Sequence, residues 1–425
     1  MEEMTQVLSR GGELADPRTS AADRRLNCSS IIADTTPAVG AVIEALGALI
    51  ADLPGGIRRP RQLQLALGID YKVCWNVFNL ITADDPLSVV KYTPSSSAIK
   101  RLLTSAKKRG VKTGRITAVQ SAIEEFTRVV NAHADDRNTF DSMVSAVAAE
   151  DGDSASELQS RRSAYRSMSQ IWGAQTELHL STVLVRRAES GDGVDECLLT
   201  VKHGFRLLLP TASPIVYGSR ASGDAAKNDP QSQIPLDPQV ASQQHAPLLP
   251  KFCSTPLPNL RTDEGGAGWL YTKLATEGIG RQSTVDLAFG MVARNVIPPM
   301  DEVGGRRLVR SGVTFRTPTA ELLQNFLIHR SLCEHLNLQT IAFMSMPGDE
   351  SPGVARIAPQ LTVSEKIQRL GAANRPMMTP EWPRYSELLK YAANKLKWDL
   401  SEFEVYRLRV QYPVFGSVVR MEFAY

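Results

Sequence analysis

Lys72, Asn76 and Asn79 stand at i, i+4 and i+7, the spacing that lays three side chains along one face of a helix. One ammonium and two carboxamides in a row offer hydrogen-bond donors and acceptors at fixed separations. That chemistry suits the edges and phosphates of a polyanion better than it suits bond making. Trp75 flanks the row, while Val73, Cys74, Val77, Phe78, Leu80 and Ile81 form an apolar stripe opposite. More cations crowd around it. Arg58, Arg59 and Arg61 come before, and Lys100, Arg101, Lys107, Lys108, Arg109, Lys112 and Arg115 come after, with no acidic residue between 100 and 115. From 56 to 115 twelve Lys/Arg meet three Asp, a local balance of +9. The chain totals +3, so everything else sums to −6. A basic block on an otherwise acidic chain is the footprint of a polyanion partner. The bland reading of Lys107, Lys108 and Arg109, that they complement a helix C-terminus before Gly110, explains three of the seven cations in the second run.

Other candidate chemistry is thinner. His329 and Cys333 share a helical face at i, i+4, but His335 points elsewhere and no further ligand is close in sequence, so a core histidine and a buried thiol are expected and no metal. The glycine-rich stretch 263–268 lacks the Lys and Ser/Thr of a phosphate loop, and Gly278-Ile279-Gly280 lacks the rest of a dinucleotide fingerprint. No GxSxG elbow or HExxH pair occurs, and the carboxylates are dispersed. No catalytic residue and no cofactor are therefore expected. Trp172, Trp269, Trp382 and Trp398 read as core or interface residues, with an apolar ligand pocket in the C-terminal region as the alternative.

The elements that would position the cationic face follow from local pattern. Val39, Val42, Ile43, Leu46, Leu49 and Ile50 recur at helical spacing, with Thr36-Pro37 as the expected start and Pro54-Gly55-Gly56 as the stop. Pro60 suits the first turn of a short helix carrying Leu63 and Leu67. Gly68 suits its left-handed end, and Asp70 suits the cap of the next helix, 71–82. Helices are then expected over 98–109, from 117 through Val130, over 139–149, and over 157–187 with Gly173 as a weak spot, so that 35–188 reads as entirely helical. Strands are expected within 197–209, 214–217, 285–292, 307–315 and 340–344, and helices over 322–333 and 382–396. A terminal β-hairpin alternates Tyr406, Leu408, Val410 and Tyr412 with Val419, Met421, Phe423 and Tyr425. The expected fold class is α+β multidomain: a disordered tail 1–34, a basic domain 35–115, a helical scaffold or dimerisation region 116–188, and a mixed α+β domain 189–425 with a disordered insertion at 218–250.

The pattern Leu63-x3-Leu67-Gly68-Ile69 followed by an amphipathic helix resembles the helix-turn-helix superfamily of DNA-binding regulators, over about 25 residues plus the supporting helix before them. Gln64 and Asp70 stand where that superfamily usually has a small residue and a Ser or Thr. The resemblance implies that 71–82 is a recognition helix. Lys72 would reach phosphate or guanine, Asn76 or Asn79 an adenine edge, and Arg58, Arg59 and Arg61 the backbone phosphates. It also implies double-stranded DNA as partner, a homodimer reading paired half-sites, and an unknown small-molecule effector or partner for the C-terminal domain. The rival expectation is a non-catalytic assembly protein whose basic block meets an acidic protein surface.

At 425 residues and 43% hydrophobic content the chain has room for two or three packed cores. The longest apolar run, 39–53, is broken by Glu44 and Asp52 and falls short of the roughly 20 residues of a membrane span. The five cysteines are scattered singly with no CxxC, which points to a reducing compartment and to a cytoplasmic protein.

Overall fold

The computed structural model describes residues 29–83, 85–148, 154–189, 191–220, 234–238, 246–265, 269–275, 278–300, 305–334, 336–345, 358–375 and 379–425. Of the tail expected as disordered over 1–34, residues 29–34 are helix and the rest lie outside the described residues, as do 149–153, most of the 218–250 insertion and His335. The chain divides into two compact units, residues 1–156 and 157–425. Among the described residues there are eight α-helices and fourteen strands.

The first unit is helical: α1 (Ser29–Ala51), α2 (Pro60–Leu67), α3 (Tyr71–Ile81), α4 (Ser96–Lys108), α5 (Thr113–His133) and α6 (Arg137–Ala148). α1 begins seven residues earlier than the Thr36-Pro37 start and carries Pro37 inside it. Ile31, buried with the core, anchors the additional turns. By length and composition α1 could cross a membrane over Ser30–Ala51, with mean hydropathy 1.3. Its Val39, Val42, Leu46 and Leu49 are fully buried among Leu63, Leu67, Cys74, Val77, Leu80, Leu102, Phe126 and Phe140. Burying side chains of this size contributes about 1.5–3 kcal/mol apiece. Three polar ties fix the helices on one another. Ser105 Oγ donates to the Leu67 carbonyl, Arg137 Nη2 donates to the Val90 carbonyl at 2.7 Å, and His133 Nε2 meets the Asp34 carboxylate at 2.9 Å.

The helix α7 (Ser154–Trp172) runs across the boundary into the second unit, and at its end the all-helical expectation fails. Gly173, at φ 72, stops the helix, and residues 174–187, expected as its continuation, are strand β1 (Ala174–Arg187). β1 is central to a seven-stranded sheet of order β12 (Gln368–Ala372), β13 (Phe403–Gln411), β9 (Thr319–His329), β1, β2 (Val194–Leu207), β7 (Val285–Val296), β4 (Ile234–Pro235). β1 and β9 run parallel and the other pairs antiparallel. β9 replaces the helix expected over 322–333. A four-stranded sheet has the order β11 (Gln360–Leu361), β10 (Asn337–Met344), β14 (Ser417–Ala424), β8 (Leu308–Thr314). A three-stranded sheet has the order β3 (Ile215–Arg220), β6 (Trp269–Leu274), β5 (Leu260–Glu264). The expected terminal hairpin is also replaced, because β13 pairs with β9 and β12 while β14 pairs with β10 and β8. The chain turns at Tyr412 (φ 49) and Gly416 (φ 80) and crosses from one sheet to the other.

Strand alternation splits the core in two. Val183, Val185, Leu322, Phe326, Leu408 and Val410 face Val309, Val313, Val419, Met421 and Phe423 of the four-stranded sheet. Leu180, Leu184, Leu199, Leu323, Leu327 and Val405 face the opposite way, against Leu388, Leu389 and Ala392 of α8 (Tyr385–Leu396). The unit is therefore a β-sandwich with a helix on its outer face. A buried polar row crosses the helix-facing side, where Thr182, Asn325 and Arg407 stand in register on β1, β9 and β13. Asn325 donates to Thr182 Oγ1 at 3.2 Å, Arg407 Nε donates to Asn325 Oδ1 at 2.7 Å, and the Tyr385 hydroxyl lies 3.1 Å from Thr182 Oγ1.

Candidate nucleic-acid interface

α2 and α3 are built from their caps. The Arg58 and Arg59 backbone N–H groups donate to Gln62 Oε1 at 2.8 and 3.1 Å, Pro60 occupies the first turn, and Gly68 closes α2 at φ 64 with its N–H on the Gln64 carbonyl at 2.7 Å. Asp70 Oδ1 accepts the Lys72 N–H at 2.7 Å and starts α3. Leu63 and Leu67 on one helix and Cys74, Val77 and Leu80 on the other are buried, so the connection Gly68-Ile69-Asp70 is held from both sides. Burial, and after it the charge of Asp70, pushes the Cys74 thiol up to about 11, which makes it a core group and not a nucleophile.

Ser95 Oγ accepts the Ala98 N–H at 3.3 Å and starts α4 beside the first turn of α3. Between them lies a groove of about 380 Å³ lined by Asp70, Lys72, Val73, Asn76, Thr93, Pro94, Ser95, Ala98 and Arg101. A second groove of about 500 Å³ shares Asp70, Val73, Ala98 and Arg101 with the first and adds Lys100, Thr104 and Ser105. Lys72, Lys100 and Arg101 are exposed, and none has an ion-pair partner among the described residues. The starts of two helices, each with unsatisfied N–H groups and the positive end of its dipole, converge on the same grooves. Thr93 Oγ1 is buried in the groove wall without a partner.

The structure distributes the sequence-derived residues unevenly around this feature. Lys72 and Asn76 line the groove, Asn76 half-buried in its wall. The Asn79 carboxamide donates to the Trp75 carbonyl of its own helix at 3.0 Å, which commits one of its N–H bonds. Trp75 is 42% exposed and meets Tyr92 edge-on at 5.5 Å. Arg58, Arg59 and Arg61 are exposed at the start of α2. Lys107 and Lys108 are exposed in the last turn of α4, with Arg109 as its cap. Lys100 and Arg101, named in the basic run, line these grooves, and so does Thr93, which the sequence did not mark. The surface is a groove between α3 and α4, not a convex ridge along α3.

The metal-like set does not share a helix, because His329 ends β9 and Cys333 follows a single 3-10 turn. His329 Nδ1 lies 2.9 Å from Ser331 Oγ, and the Cys333 thiol donates to the His329 carbonyl. Among the described residues no three His, Cys, Asp or Glu gather as metal ligands.

No protein-family model and no curated protein matches the sequence. One solved structure does match, that of a "putative protease" from Parabacteroides distasonis, at 7% identity and a TM-score of 0.25 over 60% of this chain. The match spans 40% of that protein's length, and a likeness of this size carries no inference about fold or activity.

Proposed function

We propose that this chain is a DNA-binding protein, a transcriptional regulator that grips duplex DNA with the α2–α3–α4 face of its first unit, acts as a dimer on paired half-sites, and receives a ligand or partner on its second unit. The observation that carries this reading is the convergence of Lys72, Lys100 and Arg101, all without carboxylate partners, on the grooves where α3 and α4 begin. Cations beside helix N-termini bind phosphate, and an amide such as Asn76 between them supplies contact to a base edge. Three phosphate contacts release counterions with a log–log salt slope near −2.7, so affinity for a labelled duplex falls roughly 40-fold between 50 and 200 mM salt. The double substitution Lys72→Ala, Arg101→Ala should weaken binding and make the slope shallower by about 2. Fluorescence anisotropy at several salt concentrations measures both. A chain that fails to bind duplex DNA at 50 mM salt would sink the proposal.

One observation favours a second reading. Leu65, Tyr71 and Trp75 are 72, 47 and 42% exposed on α2 and α3, large apolar side chains suited to a protein partner. Under that reading Trp75→Ala abolishes self-association in sedimentation while Lys72→Ala, Arg101→Ala leaves it unchanged, and no salt-sensitive nucleic-acid binding accompanies it.

A further inference from the structure

Nitrogen donors in the second unit collect where, among the described residues, no carboxylate pairs with them. His179 of β1 and Lys202 of β2 are cross-strand register partners, which sets their Cβ atoms about 5 Å apart. They are 7% and 8% exposed, and neither side chain makes a hydrogen bond or ion pair among the described residues. Glu177, the carboxylate closest to His179 in sequence, is committed to Arg206. The Phe315 ring packs edge-on to the imidazole, with centroids 6.1 Å apart. The next residue, Arg316, lies along β3: a Cβ on Gly218 would come within 3.3 Å of its Nη1 and 3.6 Å of the Tyr271 ring, so a glycine there leaves room for the guanidinium. Burial, and then the charge of Arg316, pushes the Lys202 ammonium down to about 8. Burial, and then Lys202, holds the His179 imidazole well below its ordinary range.

Burying an amine and an imidazole side by side with a guanidinium nearby is unfavourable unless something anionic completes the set. Leucine or methionine would fill these strand positions with better packing. The three side chains have one chemical property in common. Each donates hydrogen bonds, and together they present an ammonium, a ring N–H and a planar fork, the combination that holds an oxyanion. We infer that the second unit carries an oxyanion site in which His179, Lys202 and Arg316 bind the phosphate or carboxylate group of a small molecule at the seam of β1, β2 and the β8–β9 connection. The inference goes beyond DNA binding and does not depend on it.

Thermal unfolding of the full chain tests it, with inorganic phosphate, sodium acetate and sodium chloride compared at matched ionic strength. Phosphate or acetate should raise Tm by ~3–5 °C with saturable concentration dependence while chloride does not, and whichever of the two does so identifies the ligand's acidic group. Arg316→Gln, at an exposed position where folding is not at risk, should abolish the shift, as should Lys202→Met. Lys202→Met should in addition raise the ligand-free Tm, because it removes a buried unpaired charge. Lys72→Ala, Arg101→Ala should leave the shift intact, which separates this site from the basic grooves of the first unit. The inference is overturned if neither oxyanion gives a saturable shift beyond chloride, if the shift survives in Arg316→Gln, or if only the first-unit double substitution removes it. Should Lys202→Met fail to fold, Arg316→Gln alone decides.

Discussion

Two titratable side chains on β2 make the second unit sensitive to pH in the same direction, through different physics. Glu196 is held by burial up to about 7, so it is protonated when folded at mildly acidic pH and must ionise in an unfavourable setting as pH rises. Its neutral form costs nothing below the ordinary glutamate range, and the penalty grows from there until the pH passes about 7. His203 is the opposite kind of case. Its Nδ1 lies 2.8 and 2.9 Å from the two oxygens of Asp286, and that hydrogen bond, offset in part by burial, raises the imidazole above its ordinary value. A raised histidine stabilises the fold fully below about 6.5 and loses that contribution as pH climbs through the folded value. Asp286 is held low despite burial by His203 and the Gly204 N–H, so its share is present above the ordinary aspartate range and is lost only in acid. Urea unfolding between pH 5 and 8.5 should show a fall of stability with pH from Glu196 and His203, set against a rise from His179 and Lys202, whose depressed values act in the opposite direction. Glu196→Gln should remove on the order of 2 kcal/mol of that fall between pH 5 and 7. His203→Gln, at a half-exposed pair, should remove less than about 1 kcal/mol, and only above pH 6.5. An unchanged profile in both variants would contradict the assignment.

Among the elements, β1 and β9 carry most of the second unit's architecture and were the hardest to read. Both sit at the centre of the seven-stranded sheet, covered by the four-stranded sheet on one side and by α8 on the other. Their burial is almost continuous, and from Leu178 through Val185 the polar residues His179, Ser181 and Thr182 are themselves buried, so polarity does not mark an exposed face. A strand buried on both faces has lost its period of two, so Leu178, Leu180 and Leu184 are as compatible with a helix as with a strand. Gly173 was visible as a weak spot but carried the break only through its left-handed backbone. Thr317-Pro318-Thr319-Ala320-Glu321 looks like a helix start, yet its chain is drawn into the sheet by the parallel register with β1. The first unit was more legible, because caps such as Asp70, Pro60 and Gly68 act locally and need no partner strand. In the candidate site the same distinction holds. Lys72 and Asn76 were readable from helical spacing, whereas their meeting with Arg101 depends on how α4 packs. The centrality of β9 has a measurable side. Phe326→Ala, which removes a fully buried ring packed 5.3 Å from Phe423, should cost about 3–5 kcal/mol. Asn325→Ala on the opposite face should cost about 2–3 kcal/mol through the bonds it makes to Thr182 and Arg407. Leu65→Ala, at an exposed position, should stay within about 0.5 kcal/mol. Equal losses at all three would be inconsistent with this sheet.

For the whole molecule, two compact units with separate cores predict two calorimetric transitions. Duplex DNA should raise one of them and an oxyanion the other; a ligand that moved both equally would mean that the units do not melt independently. The crossing of the chain after β13 bears on how the protein is made. β14 is paired on both sides within the four-stranded sheet and supplies Val419, Met421 and Phe423 to the sandwich core. During synthesis the helical unit has all of its segments outside the ribosome while the second is still missing an interior strand, so the nascent sandwich waits with Phe326 and its neighbours uncovered. Ribosome-stalled chains ending before residue 417 should therefore show a protease-resistant first unit and a second unit that is cut readily until β14 emerges.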